Sequence, residues 1–163
     1  MPSTFLPRAL LFVSAFAFSA PAFAQDETEI AMEDVPENVL DVALNTAPGV
    51  EFERVSIEVE NGVVIYEFEA KDHKGCHIEI DVTEDGQLEE IEMEIAMDEV
   101  PQAVAATLER TAPGFRAEYI ELSVRDGGAA FVYEFEGNID GAPVDIEIAE
   151  NGALIFISDD YSS

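Results

Sequence analysis

Residues 29–49 read EIAMEDVPENVLDVALNTAPG and residues 94–114 read EIAMDEVPQAVAATLERTAPG, the same run stated twice at a spacing of 65. The match resumes at Tyr66-Glu67-Phe68-Glu69 against Tyr133-Glu134-Phe135-Glu136, and at Asp85-Gly86 against Asn151-Gly152. A duplication on this scale constrains the fold strongly, because one supersecondary unit must serve twice and its two copies must find a common arrangement. Function is then to be sought in a two-repeat scaffold, not in a single catalytic motif.

The first 24 residues stand apart. Arg8 precedes an apolar run from Ala9 to Ala20, and Ala22-Phe23-Ala24 supplies the small residues that a signal peptidase needs. The run is too short to span a bilayer, and no Cys follows it to carry a lipid anchor. We read residues 1–24 as a signal peptide, which makes the mature protein periplasmic or secreted, with no membrane insertion after cleavage.

The remaining 139 residues hold all 36 acidic side chains and six basic ones, Arg54, Lys71, Lys74, Arg110, Arg116 and Arg125, for a net charge of −30. Such a chain repels nucleic acid and anionic membrane surfaces and attracts cations or basic proteins. The single Cys76 rules out an internal disulfide, so packing must supply the stability.

Each repeat opens with a helix. Asp34 is a candidate N-cap, Pro36 suits the first turn, and Pro48-Gly49 ends a stripe of Val39, Leu40, Ala43, Leu44 and Ala47. Pro101, Val104, Ala105, Leu108 and Pro113-Gly114 repeat the pattern. Four strands should follow in each copy, punctuated by Asn61-Gly62, residues 72–75 and Asp85-Gly86, then by residues 126–128, 138–141 and Asn151-Gly152. The expected fold class is α+β, a tandem repeat of one helix packed on a four-stranded antiparallel meander sheet. The repeats span 25–92 and 93–158, with a tail at 159–163.

Period-two alternation sends Val55, Ile57, Val59, Val64, Tyr66, Phe68, Ile78, Ile80, Val82, Ile91, Met93 and Ile95 toward the helix. The intervening positions carry Glu58, Glu60, Glu67, Glu69, Glu79, Asp81, Glu90, Glu92 and Glu94, so one sheet face is nearly all carboxylate. Two-residue hairpin turns set Glu79 opposite Glu92 and Asp81 opposite Glu90, with Glu67 beside Glu79. Like charges directly opposite cost roughly 0.2–1 kcal/mol per pair. Either some carboxyls stay protonated or cations occupy the face. Oxygen ligands without thiolate or imidazole suit hard ions, so Glu67, Glu69, Glu79, Asp81, Glu90 and Glu92 are candidate ligands for calcium or lanthanide ions. A solvated acidic surface, as in salt-adapted proteins, is the alternative. The second repeat keeps Glu134, Asp145 and Glu147 as further candidates.

The last strand, residues 153–157, is apolar on both sides. It is expected to pack between the repeats or, if open, to offer Ile155 and Phe156 to a protein partner. His73, Cys76 and His77 could hold zinc or copper, but alternation turns Cys76 inward and sets His77 beside Glu69, which favours pairing over metal ligation. No nucleophile elbow, phosphate loop or metalloprotease helix is present, so no enzymatic activity is expected.

Val35-Pro36, Val39, Ala47-Pro48-Gly49, Tyr66-Glu67-Phe68, Gly75, residues 78–82 and Asp85-Gly86 together resemble the PepSY and PepSY-like domains, sometimes described as beta-lactamase-inhibitor-like. The resemblance covers both repeats, over residues 30–157. It implies an extracytoplasmic, non-enzymatic domain with a helix on an antiparallel sheet, and in some members inhibition or escort of proteases or binding of other partners. It carries no metal ligands to this sequence, and the acid on the sheet exceeds the family pattern. Two readings therefore stand: a cation-binding protein, or an interaction module that inhibits or regulates a periplasmic protease or other enzyme.

Overall fold

The computed structural model describes residues 27–158. The expected signal segment and the 159–163 tail lie outside them. In chain order the elements are β1 (Thr28–Glu29), α1 (Glu37–Thr46), β2 (Phe52–Glu60), β3 (Val63–Lys71), β4 (His77–Thr83), β5 (Leu88–Glu94), α2 (Gln102–Thr111), β6 (Arg116–Arg125), β7 (Ala130–Ile139), β8 (Ala142–Ala149) and β9 (Leu154–Ile157). Short 3-10 turns precede both helices. Each helix is followed by four strands, as the repeated sequence requires.

The strands do not form two separate four-stranded sheets. They join into one nine-stranded antiparallel sheet in the order β1 to β9, so every strand lies beside its neighbour in the chain. β5 and β6 make the join, with Ile91 opposite Val124, Glu92 opposite Ser123 and Met93 opposite Leu122. The physical reason is the backbone of β5, whose second edge would otherwise leave N–H and C=O groups unpaired. The expected boundary between residues 92 and 93 thus falls inside β5.

Both helices cover one face. Val39 and Ala43 of α1 pack on Val55, Tyr66, Phe68, Ile80 and Val82, while Val104 and Leu108 of α2 pack on Ile120, Tyr133, Phe135, Ile146 and Ile148. The register carries that face through the join, from Ile80 to Ile91 to Val124. Two details differ from the expectation. Pro36, not Asp34, is the N-cap of α1, with Asp34 in the preceding turn. Leu44 is 47% exposed, because the stripe over the sheet is narrower than the run of apolar residues.

The β8–β9 turn anchors α2. Gly152 has φ +82°, and a Cβ there would lie 2.8 Å from the backbone oxygen of Ala103, while its carbonyl accepts a 2.7 Å hydrogen bond from Thr107 Oγ1. Gly62 has a similar φ, +85°, in open space. Gly152→Ala should therefore destabilise the fold by about 1–3 kcal/mol. Gly62→Ala should cost less, and paired urea titrations give the difference as the contribution of the close approach.

Candidate functional site

The face opposite the helices is built by the alternate residues of the same strands. One cross-strand row runs Ser56, Glu67, Asp81, Glu90, Arg125. The next runs Arg54, Glu69, Glu79, Glu92, Ser123. A third runs Glu94, Glu121, Glu134, Glu147, Phe156. The expected oppositions of Glu79 with Glu92 and Asp81 with Glu90 are present. Glu67, however, lies opposite Asp81, and Glu69 opposite Glu79. The β3–β4 loop closes on Asp72 and Cys76, whose N–H and C=O groups set that register, and it contains no two-residue turn to count from.

Two half-buried carboxylate triads result. Glu67, Glu79 and Asp81 form the first, and Glu90, Glu92 and Glu134 the second, each with one oxygen per residue within 4.8 Å of the others. In the first, Ser56 Oγ lies 3.0 Å from Glu67 Oε2 and 2.6 Å from Glu27 Oε1, with one proton to share between them. Asp81 Oδ1 is closed off from solvent and has no hydrogen-bond partner. A buried acceptor left without a donor is costly, and here its nearest polar neighbours are other acceptors.

Burial is the main cause of the pKa shifts that follow, with neighbouring carboxylates adding to it. Glu79 is pushed up to about 8, Glu67, Glu69 and Glu121 contributing after burial. Asp81 is raised well above the usual carboxylate range by burial, then by Glu79, Glu67 and Glu90. Glu92 is raised strongly by burial, then by Glu90, Glu121, Glu79 and Glu134. Burial takes Glu134 up to about 7 despite the opposing charge of Arg125. Glu58, at the margin of the face, also rises to about 7 through burial and then Glu67 and Glu60.

The remaining candidates are engaged elsewhere. Glu69 is held by Arg54, which also pairs with Glu27 and lies 3.5 Å from Glu29. Glu147 lies 3.6 Å from Arg125, and Asp145 sits opposite Glu136, away from both triads. Sequence reasoning missed the two arginines, although alternation along Glu121, Ser123 and Arg125 places Arg125 on this face. Its place beside Glu90 needed the β5–β6 join. His77 lies 4.0 Å from Glu69, as the alternation suggested, and 3.6 Å from Glu121. Cys76 is a half-buried loop residue rather than a core one. Its N–H is held by Asp72 Oδ1 at 2.9 Å, which keeps it in the loop. Among the described residues, the His73, Cys76 and His77 cluster does not converge as a ligand set.

Among the described residues β9 is an edge strand that pairs only with β8, so it does not pack between the repeats. Ile157 turns toward the α2 core, whereas Phe156 sits opposite Glu147 on the acidic face. There it borders a groove of about 330 Å³ with Tyr119, Glu121, Glu134, Glu136 and Asp145. Leu154 is 42% exposed and Ile155 is half-buried.

No family model matches the sequence, and neither does any curated protein. Solved structures do match. A DUF2874 family protein from Bacteroides uniformis superposes with a TM-score of 0.61 at 15% identity, over 76% of this chain and 88% of its own. A BLIP-like protein from Bacteroides fragilis gives 0.60 at 14% identity, over 76% and 84%. A protein from Bacteroides eggerthii, provisionally described as periplasmic, gives 0.63 at 12% identity, over 76% and 88%. The fold is shared with these proteins. The shared portion, 76% of the chain, is longer than either repeat, so the likeness extends into both.

Proposed function

We propose that this protein is an exported, non-enzymatic, periplasmic binding protein, two PepSY-like repeats fused into one sheet, that takes up hard cations of the calcium or lanthanide type on its acidic face. The observation that carries this reading is Asp81, whose buried Oδ1 has no donor and stands within a triad completed by Glu67 and Glu79. A bound ion supplies what the protein does not, a positive partner for three acceptors that otherwise repel one another. All ligands are carboxylate oxygens, which selects hard ions over zinc or copper. Export is supported by the N-terminal sequence and by the provisional periplasmic description of a protein of the same fold.

The test is a thermal melt of the chelator-treated protein near neutral pH. Calcium or a lanthanide at low-micromolar free ion should raise the melting temperature by several degrees beyond matched sodium or magnesium. Equal responses to all salts at fixed ionic strength would reduce the face to a screened acidic surface.

The open edge at β9 favours a second reading, an interaction module that inhibits or regulates a periplasmic protease or other enzyme. Its edge, which no other described strand pairs, with exposed Leu154 and half-buried Ile155 and Phe156, provides a short strand-addition site. The BLIP-like description of a protein of this fold is consistent with it. In that case Phe156→Asp abolishes partner binding and leaves any response to ions unchanged.

A further inference from the structure

The two triads are neighbours on the sheet, since Asp81 faces Glu90 and Glu79 faces Glu92 across the β4–β5 pair. They differ in one respect. Arg125 Nε lies 2.6 Å from Glu90 Oε1, its Nη2 lies 2.5 Å from Glu134 Oε1, and its Nη1 lies 3.6 Å from Glu147 Oε2. Ser123 Oγ donates to the same Glu90 oxygen. A single guanidinium thus spans carboxylates from three strands, with its charge permanent and its donors in a fixed fork.

The first triad has nothing comparable. Among the described residues no arginine, lysine or histidine forms an ion pair with Glu67, Glu79 or Asp81, and Asp81 Oδ1 is buried without a partner. Arg54 and Arg125 each stand two positions along a row from this triad, from Glu79 and from Asp81, and both guanidiniums are committed elsewhere, Arg54 to Glu27, Glu29 and Glu69 and Arg125 to Glu90, Glu134 and Glu147.

We propose that Arg125 is a tethered cation filling one of two adjacent cation positions, so that the protein takes up one hard ion, at Glu67, Glu79 and Asp81. This rests on the cation-binding reading above and assigns that reading its place and stoichiometry. An ion approaching Glu90 and Glu134 meets the fixed positive charge of Arg125 at contact distance, where like-charge repulsion is strong in a half-buried setting. An ion approaching Asp81 meets only acceptors.

The experiment titrates the chain from Gln25 onward, stripped with chelator, with terbium(III) and separately with calcium. Bound ions are counted by calorimetry and native mass spectrometry. Wild type should bind one ion, Asp81→Asn none, Arg125→Lys one and Arg125→Gln two. Asp81→Asn removes a charge from a crowded site, so it keeps the test alive even if Arg125→Gln fails to fold. One ion retained by Asp81→Asn, or two bound by wild type, overturns the tethered-cation assignment while leaving cation binding in place. Arg125→Gln folded and still binding one ion overturns it too. No ion bound by wild type overturns both.

Discussion

In chelator, raising the pH from about 5 to about 9 lowers the melting temperature by roughly 10 °C or more. The sign follows from proton counting. In the unfolded chain these carboxyls titrate in the ordinary range, near 4.5 for Glu and 3.8 for Asp81, whereas in the fold Glu58 and Glu134 are raised to about 7, Glu79 to about 8, and Asp81 and Glu92 also upward. Between those limits the folded state holds more protons than the unfolded one, so stability is complete below the unfolded pKa and is lost as pH rises through the folded values. A folded pKa one pH unit above the unfolded one corresponds to about 1.4 kcal/mol before screening. Halving that figure at Glu79 for relaxation and solvent screening leaves about 2 kcal/mol, and about 3 °C per kcal/mol applies to a chain of this size. The other raised groups bring the total to the stated fall. Calorimetric melts at constant ionic strength measure it. A melting temperature that stays flat, or climbs, over this range would mean that the face ionises without cost.

The second large effect comes from neutralising the centre of the face. Glu79→Gln combined with Glu92→Gln removes two facing carboxyls that cannot both ionise cheaply. The double variant should match wild type near pH 5 and exceed it increasingly above about pH 8, where the wild-type fold either ionises these facing carboxyls or holds protons that the unfolded chain has released. Against a background of like-charge pairs worth roughly 0.2–1 kcal/mol each when exposed, half-buried pairs lie at or above the top of that range. We expect an ion-free gain of roughly 5–10 °C at about pH 9. The same variant should lose the stabilisation by calcium or lanthanide. A variant that melts lower than wild type at alkaline pH, or keeps the full ion response, would locate the strain or the site elsewhere.

Much of this surface is legible in the sequence. Period-two alternation sorts acid from core correctly through β3, β4 and β5, and the two-residue count at Asn61-Gly62 holds; at Asp85-Gly86 the turn spans residues 84–86, and a one-residue bulge between Asp81 and Val82 restores the counted pairs of Glu79 with Glu92 and Asp81 with Glu90. Counting fails between β3 and β4, where the loop at residues 72–76 is closed by Asp72 side-chain and backbone hydrogen bonds whose register the sequence does not announce. The β5–β6 join is invisible for a different reason. Strand edges pair through backbone groups common to all residues, so no side-chain period marks which edge receives the next strand. That join brings Arg125 and Ser123 to Glu90, which is why the second triad and its arginine could not be found from either repeat alone. The last strand misleads because apolar residues on both sides suggest enclosure. In the fold Ile157 meets the core, while Phe156 shares the acidic face with Glu147.

The identity of strand order and chain order has a consequence for how the molecule comes to be. Within each repeat the strands after the helix follow one another directly, each of β3, β4 and β5 adding to the hairpin before it, and only the excursions through α1, between β1 and β2, and through α2, between β5 and β6, interrupt the series. Contacts across the sheet are local in the chain, which lowers the loop-closure cost that slows most β proteins. The sheet can therefore grow by accretion, the earlier half serving as the template on which the later half is laid down.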